Sequence, residues 1–257
     1  MNAASCGIAI MAKASAPGRT KTRLVPPLSY DEAATLNTVF LQDIADNVLR
    51  AAASASIAGY AAFAPAGSEG FFRRILPASI GLIDACLANF GDCLYRTIEE
   101  LLGRGHRSAV VLNSDSPTLP TALLAETADI LAQPGERAVL GPSHDGGYYL
   151  LGLKTAHHRL FEDIAWSTEH VAEQTRARAR EIGLELHELP VWYDVDDIAG
   201  LHRLQAELSG AEFAGPRLAP HTPHYAAQTA KLMAELSRGH DFGGRIETEL
   251  QVAGARA

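Results

Sequence analysis

Short apolar runs recur along this chain, each followed by a polar turn and then a longer stretch whose apolar residues keep helical spacing. That alternation constrains the fold more than any other feature. Strands covered by helices on both faces read as near-continuous apolar runs, whereas the helices stay amphipathic. The run Gly7-Ile-Ala-Ile-Met-Ala12 predicts a first buried strand. Ser29, with Glu32 three residues on, has the spacing of a capping box. The helix it opens carries Leu36, Phe40, Ile44, Val48 and Leu49 at helical intervals. Ile57–Phe63 predicts a second strand and Glu69–Leu76 a short helix. A further helix holds Thr97–Leu102 and opens near Asp92, ahead of the buried strand Ala109-Val-Val-Leu112. Thr121–Leu131 reads as helical, Ala138–Leu140 and Tyr148–Leu151 as strands about a glycine-rich turn, and Thr168–Ile182 as a polar helix. Glu185–Leu189 reads as a strand and Asp197–Leu208 as a last core helix. The expected architecture is α/β, a three-layer sandwich about a mixed, mostly parallel sheet.

The character changes near Gly210, where Pro216, Pro220 and Pro223 precede a single plausible helix, Tyr225–Leu236. The sequence therefore predicts one domain over 1–209 and a C-terminal extension over 210–257, open to a role as a homodimerisation or partner arm. A chain of 257 residues can bury a core without staples. Its 22 Lys and Arg against 30 Asp and Glu give a net charge of −8, the wrong balance for coating a nucleic acid. Cys6, Cys86 and Cys93 form no CxxC pair, which argues against a structural zinc site or a disulfide framework and fits a reducing cytoplasm. The apolar stretch Cys6–Ala12 lacks a leading positive charge and ends at Lys13, so it does not read as a signal peptide. No apolar run approaches the ~18 residues of a membrane span. The expectation is a cytoplasmic protein with neither membrane nor nucleic-acid partners.

The loop after the first strand concentrates charge. Lys13, Arg19, Lys21 and Arg23 fall within eleven residues that also include Gly18. Ligands of open α/β sheets bind beyond the carboxyl ends of strands, and a loop there with backbone N–H groups and cationic heads suits a polyphosphate. The plainer alternative is a solvated basic loop. It is not a Walker A loop, because GxxxxGK[ST] is absent. Asp115 lies just past the strand 109–112, in Asn113-Ser-Asp-Ser-Pro117, where a carboxylate is either a ligand for Mg2+ or Mn2+ or the cap of a proline turn. In Tyr193-Asp194-Val195-Asp196-Asp197, alternate residues of an extended segment point the same way. Asp194 and Asp196 can then converge on one cation, or all three acids cap a helix, with Asp197 the natural first-turn acid. His144-Asp145-Gly146-Gly147-Tyr148 has the make-up of a tight turn, with His144 an exposed turn residue. In Trp166-Ser167-Thr168, a hydroxyl side chain is expected to cap the helix that follows. His157-His158 and Arg176, Arg178 and Arg180 read as solvated surface.

Taken in order, the basic loop with Gly18-Arg19-Thr-Lys21-Thr-Arg23-Leu24, Ser114-Asp-Ser-Pro117, Gly141-Pro-x-x-Asp145-Gly-Gly-Tyr-Tyr149, Trp166-Ser-Thr168 and Asp194-Val-Asp196 resemble a known group. These are bacterial transferases associated with radical-SAM and selenium gene clusters, of GT-A (nucleotide-diphospho-sugar transferase) fold and usually grouped with glycosyltransferases. The resemblance covers roughly Gly7 to Leu208. A more distant similarity is to phospholactate and phosphoenolpyruvate guanylyltransferases. The resemblance implies Lys21 and Arg23 on nucleotide phosphates and Asp115, Asp194 and Asp196 on Mg2+ or Mn2+. It also implies an acceptor pocket lined by the Gly146-Gly147 turn and Ser167-Thr168. Asn113 departs from it, standing where many GT-A glycosyltransferases have the first acid of a DxD pair.

The expected nucleotide site is thus Ala12, Lys13, Gly18, Arg19, Lys21 and Arg23, with Asn89, Gly91 and Asp92 near the base. The expected acceptor site is Asp145, Gly146, Gly147, Tyr148, Trp166, Ser167 and Thr168. Lys21, Arg23 and Asp115 form the expected catalytic set. Three functions compete. The first moves an NMP from an NTP to a small phosphate- or phosphonate-bearing acid and releases pyrophosphate; the charge of the basic loop favours it. The second transfers a glycosyl group from a nucleotide-sugar, with Asp145 as base and His144 second to it. The third is non-catalytic nucleotide binding.

Overall fold

The structure, a computed structural model, describes residues 5–85, 88–211, 221–239 and 242–254; Cys86, Pro216 and Pro220 lie outside them. Strand β1 (Cys6–Lys13) alternates its burial between two cores. Ile8 and Ile10 enter one apolar cluster, while Ala9 and Met11 pack in a second on the opposite face. The same division holds along β4 (Ser108–Leu112), with Val110 and Leu112 on one side and Ala109 and Val111 on the other. Two covered faces explain why both segments read as unbroken apolar runs.

Seven strands form one sheet in the order β3-β2-β1-β4-β6-β5-β7. Strands β2 (Ile57–Ala64) and β3 (Gly81–Asp84) join β1 in parallel, and β1 pairs in parallel with β4. Strand β6 (Tyr148–Leu153) runs antiparallel to both β4 and β5 (Arg137–Pro142), and β7 (Glu185–Glu188) closes the edge parallel to β5. The sheet is mixed and mostly parallel, as expected. Successive strands lead away from β1 on one side, yet β4 returns to its other side. The carboxyl ends of β1 and β4 therefore form the crevice where open α/β sheets bind ligands.

Helix α1 (Tyr30–Ala52) begins with the expected capping box: Glu32 N–H donates to Ser29 Oγ at 3.2 Å, and Ser29 N–H donates to Glu32 Oε2 at 2.7 Å. The short helix α2 (Glu69–Ile75) follows β2, and α3 (Phe90–Gly103) starts two residues before Asp92, with Asn89 as its cap. Helix α4 (Thr121–Ala132) follows β4. Helix α5 (Val171–Glu181) starts three residues later than its composition predicts. The Thr168 hydroxyl donates instead to Ala165 O at 2.7 Å, in the turn ahead of it, so neither Ser167 nor Thr168 is its cap residue. Helix α6 (Ile198–Ser209) is capped by Asp197, whose carboxylate accepts from Gly200 N at 2.8 Å.

Helix α6 is not the last core helix. Helices α7 (Ala227–Gly239) and α8 (Phe242–Gly254) follow, and Met233, Phe242 and Ile246 are buried in the same cluster as Ile8 and Phe40. The attachment is polar as well as apolar. Asp43, 2% exposed on α1, accepts from Gln228 N at 3.0 Å and Thr229 N at 2.7 Å, so a carboxylate from one helix satisfies the opening turn of another. Asp43→Ala leaves those buried donors unpaired and is expected to cost about 2 kcal/mol. A lowered thermal midpoint, with Asp43→Asn falling between variant and wild type, is the outcome to look for.

Candidate functional site

Loops from four elements meet at the crevice. The basic loop leaves β1 and is tied down at once. Ala14 N donates to Ala64 O at 2.8 Å, and Asn37 Nδ2, from the buried face of α1, donates to Lys13 O at 3.1 Å and Ser15 Oγ at 2.8 Å. The loop turns at Gly18, with φ of +70°, and reaches Lys21 in the left-handed region at φ of 52°. A lysine there carries backbone strain of about 1–2 kcal/mol, and its side chain shows what holds it. Lys21 Nζ is buried between the carboxylates of Asp115 and Asp196 (the latter at 3.0 Å) and donates to Val195 O at 2.8 Å. Burial opposes the charge on Lys21, but the two carboxylates outweigh it and hold the ammonium above the usual lysine range.

Asp115 follows β4, and its carbonyl accepts from Val195 N at 2.9 Å. That bond ties the acidic segment after β7 to the end of β4, together with the bond from Lys21 Nζ to Val195 O. With Val195 fully buried as the anchor, Asp196 reaches Lys21 and also Arg23 Nη2 at 3.2 Å. Burial lifts the Asp115 carboxyl above its ordinary range, against the pull of Lys21.

Asp194 is half-buried and feels the charges of Asp145, Asp196 and Asp115. Among the described residues no group of three His, Cys, Asp or Glu side chains is close enough together to hold a metal ion. Burial, then the neighbouring charge of Asp145, then that of Asp196, pushes the Asp194 carboxyl up to about 7. An unfolded aspartate titrates near 3.9, so the folded state keeps this proton longer. Its contribution to stability is therefore fully present below about pH 4 and is lost as pH rises through about 7. Asp194→Asn is expected to raise the thermal midpoint at pH 8 and leave it nearly unchanged at pH 4; a lower midpoint at pH 8 contradicts this placement.

Two hollows flank the Lys21–Asp115–Asp196 group and share Arg23, Ser114, Asp115 and Asp196 as a common wall. The smaller, about 250 Å3, is lined by Lys13, Arg19, Thr20 and Lys21 of the basic loop and by Asn37. The larger, about 450 Å3, runs from Asp115 and Asn113 past Asp145, Gly147 and Tyr148 to Trp166, Ser167, Thr168 and Glu169. Its far wall is apolar, with Phe90 and Leu94 of α3 and Met11 and Val111 of the strands. Phe90 and Trp166 meet edge to face at 5.3 Å, and Phe90 is 51% exposed. Ser167, like Lys21, has a positive φ (65°) without being glycine.

The expected phosphate and acceptor residues thus fall largely into two adjoining hollows. Five expected nucleotide residues do not line them: Gly18, at the turn of the basic loop, and Ala12, Asn89, Gly91 and Asp92. Ala12 is 5% exposed and packs in the core. Asn89 caps α3 by accepting from Gly91 N at 2.8 Å, and Asp92 lies exposed in the first turn. Gly91 is needed because a Cβ there would stand 2.9 Å from Trp166 Nε1. Their neighbours Phe90 and Leu94 line the larger hollow instead. Asn37, Phe90 and Glu169 were missed from sequence; only Asn37 left a signal, as an amide on the apolar face of a predicted helix. The surface readings hold: His158 pairs with Glu162, and Arg176 with Glu188.

The sheet order, the crevice and the two hollows define the nucleotide-diphospho-sugar transferase (GT-A) fold, and comparison with known proteins agrees. A proposed nucleotide-diphospho-sugar transferase from Desulfovibrio desulfuricans G20 is 25% identical, with a TM-score of 0.77 over 93% of this chain and 96% of that one. CMP:2-keto-3-deoxy-manno-octonic acid synthetase in complex with CTP is 12% identical, with a TM-score of 0.52 over 80% and 98%. A cytidylyltransferase from Leptospira borgpetersenii serovar Hardjo-bovis is 13% identical, with a TM-score of 0.51 over 93% and 96%. The last two speak for the fold alone. Residues 47–168, just under half of the chain, match a family described as an uncharacterized protein conserved in bacteria (DUF2064). No curated protein matches the chain. No helix among the described residues is long and apolar enough to cross a membrane.

Proposed function

We propose that the protein is a divalent-metal-dependent transferase whose donor is a nucleotide-diphospho-sugar, its diphosphate seated on the 13–23 loop. The observation that carries this reading is the commitment of Lys21. The basic loop holds four cations, which in sequence suits an NTP together with an anionic acceptor. In the folded protein Lys21 serves Asp115 and Asp196, and Arg23 serves Asp196. Lys13 and Arg19 line the smaller hollow and, among the described residues, pair with no carboxylate. Two uncommitted cations match the roughly two charges of a diphosphate. The similarity to the Desulfovibrio protein supports the same donor class.

The donor set also bears on the metal. Magnesium and manganese are usually held by one or two carboxylates completed by substrate phosphates, not by an all-protein cage. Asp115 and Asp196, already gathered about a cation, fit that description and would hold the ion. Bound there, the ion would neutralise charge on the departing diphosphate. Lys13 and Arg19 bind the phosphates, Lys21 keeps the two carboxylates together, and Asp145, which lines the larger hollow, accepts the proton of an acceptor hydroxyl.

Calorimetric titration with UDP, GDP, CDP and ADP, each with Mn2+, tests the donor site. One of the four is expected to bind at micromolar Kd, weakened about tenfold by Lys13→Ala and by Arg19→Ala. Affinity unmoved in both variants would remove the phosphates from this loop.

A further inference from the structure

We infer that the acceptor is a small molecule without phosphate or carboxylate, uncharged or positively charged, that lays an apolar face on Phe90 and Trp166 and turns a hydroxyl to Asp145. This rests on the donor reading above, since it assigns the larger hollow to the acceptor.

The charge of that hollow carries the inference. Asp115, Asp145, Glu169 and Asp196 line it, and Arg23 is the sole cation among its lining residues. Lys21 and Arg23 offset Asp115 and Asp196 at the shared wall. Among the described residues no lysine or arginine forms an ion pair with the other two acids, although His144 stands within reach of the Asp145 charge. Asp145 Oδ1 accepts only a backbone bond, from Gly147 N at 2.9 Å, and Glu169 has His170 Nε2 at 3.5 Å beside it. A metal at the shared wall would leave these two acids unmatched. An anionic acceptor would enter against both carboxylates, and like charges repel. The apolar face fits the same class. An exposed phenylalanine set edge-on to a tryptophan gives a platform suited to the C–H face of a sugar ring or to a cation.

A neutral hydroxyl also explains why an acid is needed there. In the transfer, the acceptor oxygen bonds to the sugar carbon, and that carbon's bond to the diphosphate oxygen breaks. The electron pair leaves with the nucleoside diphosphate, and the hydroxyl proton passes to the Asp145 carboxylate. An acceptor phosphate would bring its own anionic nucleophile and leave Asp145 only a repulsive role.

Trp166 fluorescence reads the pocket without turnover, and Trp166→Phe identifies the signal. Two matched pairs serve as probes: glucose against glucose 6-phosphate, and choline against phosphocholine. The unphosphorylated member of at least one pair is expected to bind at least about tenfold more tightly than its phosphorylated partner. Asp145→Asn combined with Glu169→Gln should narrow that ratio to within about threefold. Phosphorylated probes binding equally or better in the wild type overturn the inference. So does the absence of a saturable response to both glucose and choline. The calorimetric titration with nucleoside diphosphates reads the other hollow. Failure there with the expected probe ratios rejects the donor reading alone, whereas the converse result rejects the acceptor class alone.

Discussion

Asp196→Ala is expected to lower transfer at least about a thousandfold while the protein stays folded. Asp196 is one-third exposed (33%), and among the described residues its carboxylate pairs with Lys21 Nζ at 3.0 Å and Arg23 Nη2 at 3.2 Å. Removing it leaves Lys21 with Asp115 and the Val195 carbonyl, so no buried charge is stranded. The fold therefore loses little. The site loses half of its carboxylate set and the anchor of Arg23. Asp115→Ala should act in the same direction on turnover, because the bond from Val195 N goes to the Asp115 carbonyl and survives truncation of the side chain. Turnover and thermal midpoint measured together decide the matter. A loss of less than about tenfold in both variants would mean that these carboxylates organise Lys21 and do nothing for the reaction.

The second large effect is structural and lies across the larger hollow. Gly146 adopts φ of +86°, and a Cβ there would stand 2.1 Å from the backbone oxygen of Glu169. The two obstacles add: the conformation disfavours any L side chain, and the clash is with backbone, which cannot swing away. The Gly146 carbonyl also accepts from Ala172 N at 2.9 Å, so the turn and the start of α5 are one unit. Gly146→Ala is expected to cost about 3 kcal/mol and to displace the Ser167–Glu169 wall. The thermal midpoint should fall by several degrees and the Trp166 emission should shift. A variant with wild-type midpoint and emission would show that this close approach does not exist. Gly147→Ala is the control, since its Cβ would meet only the Asp145 side chain, at 3.1 Å.

Much of this architecture was legible in the sequence because burial on both faces leaves a plain mark. β1 and β4 read as apolar runs, and Ser29 with Glu32 announced α1. Strand β3 left no such mark. It has only four residues, Gly81–Asp84, and one of them is buried. Of the C-terminal helices, α7 was expected over Tyr225–Leu236 and is found at Ala227–Gly239, but α8 and the docking of both into the core were not foreseen. The proline-rich approach suggested an appendage, but the residues that dock α7 are Asp43 on α1 and a few apolar positions separated widely in sequence.

In the site, loop residues were found by type and place, whereas partnerships were not. Four cations in eleven residues look alike in sequence, yet folding buries Lys21 against two acids and leaves Lys13 and Arg19 lining the smaller hollow. Likewise the Asp-x-Asp alternation grouped Asp194 with Asp196 but did not show the partners of either. The bond from Val195 N to Asp115 O turns Asp196 toward Lys21, whereas Asp194 feels Asp145 more strongly.

The central claim is tested most directly by product identity. The purified protein is incubated with Mg2+ or Mn2+ and with UDP- and GDP-sugars, and in parallel with the four NTPs, each with a panel of uncharged, cationic and phosphate-bearing acceptors. Release of nucleoside diphosphate from a sugar donor, quickened by an acceptor without phosphate and abolished in Asp196→Ala, is the predicted result. Pyrophosphate released from one NTP only in the presence of a phosphate-bearing acid would contradict the account, and would show that the charge of the 13–23 loop, not the commitment of Lys21, indicates the reaction.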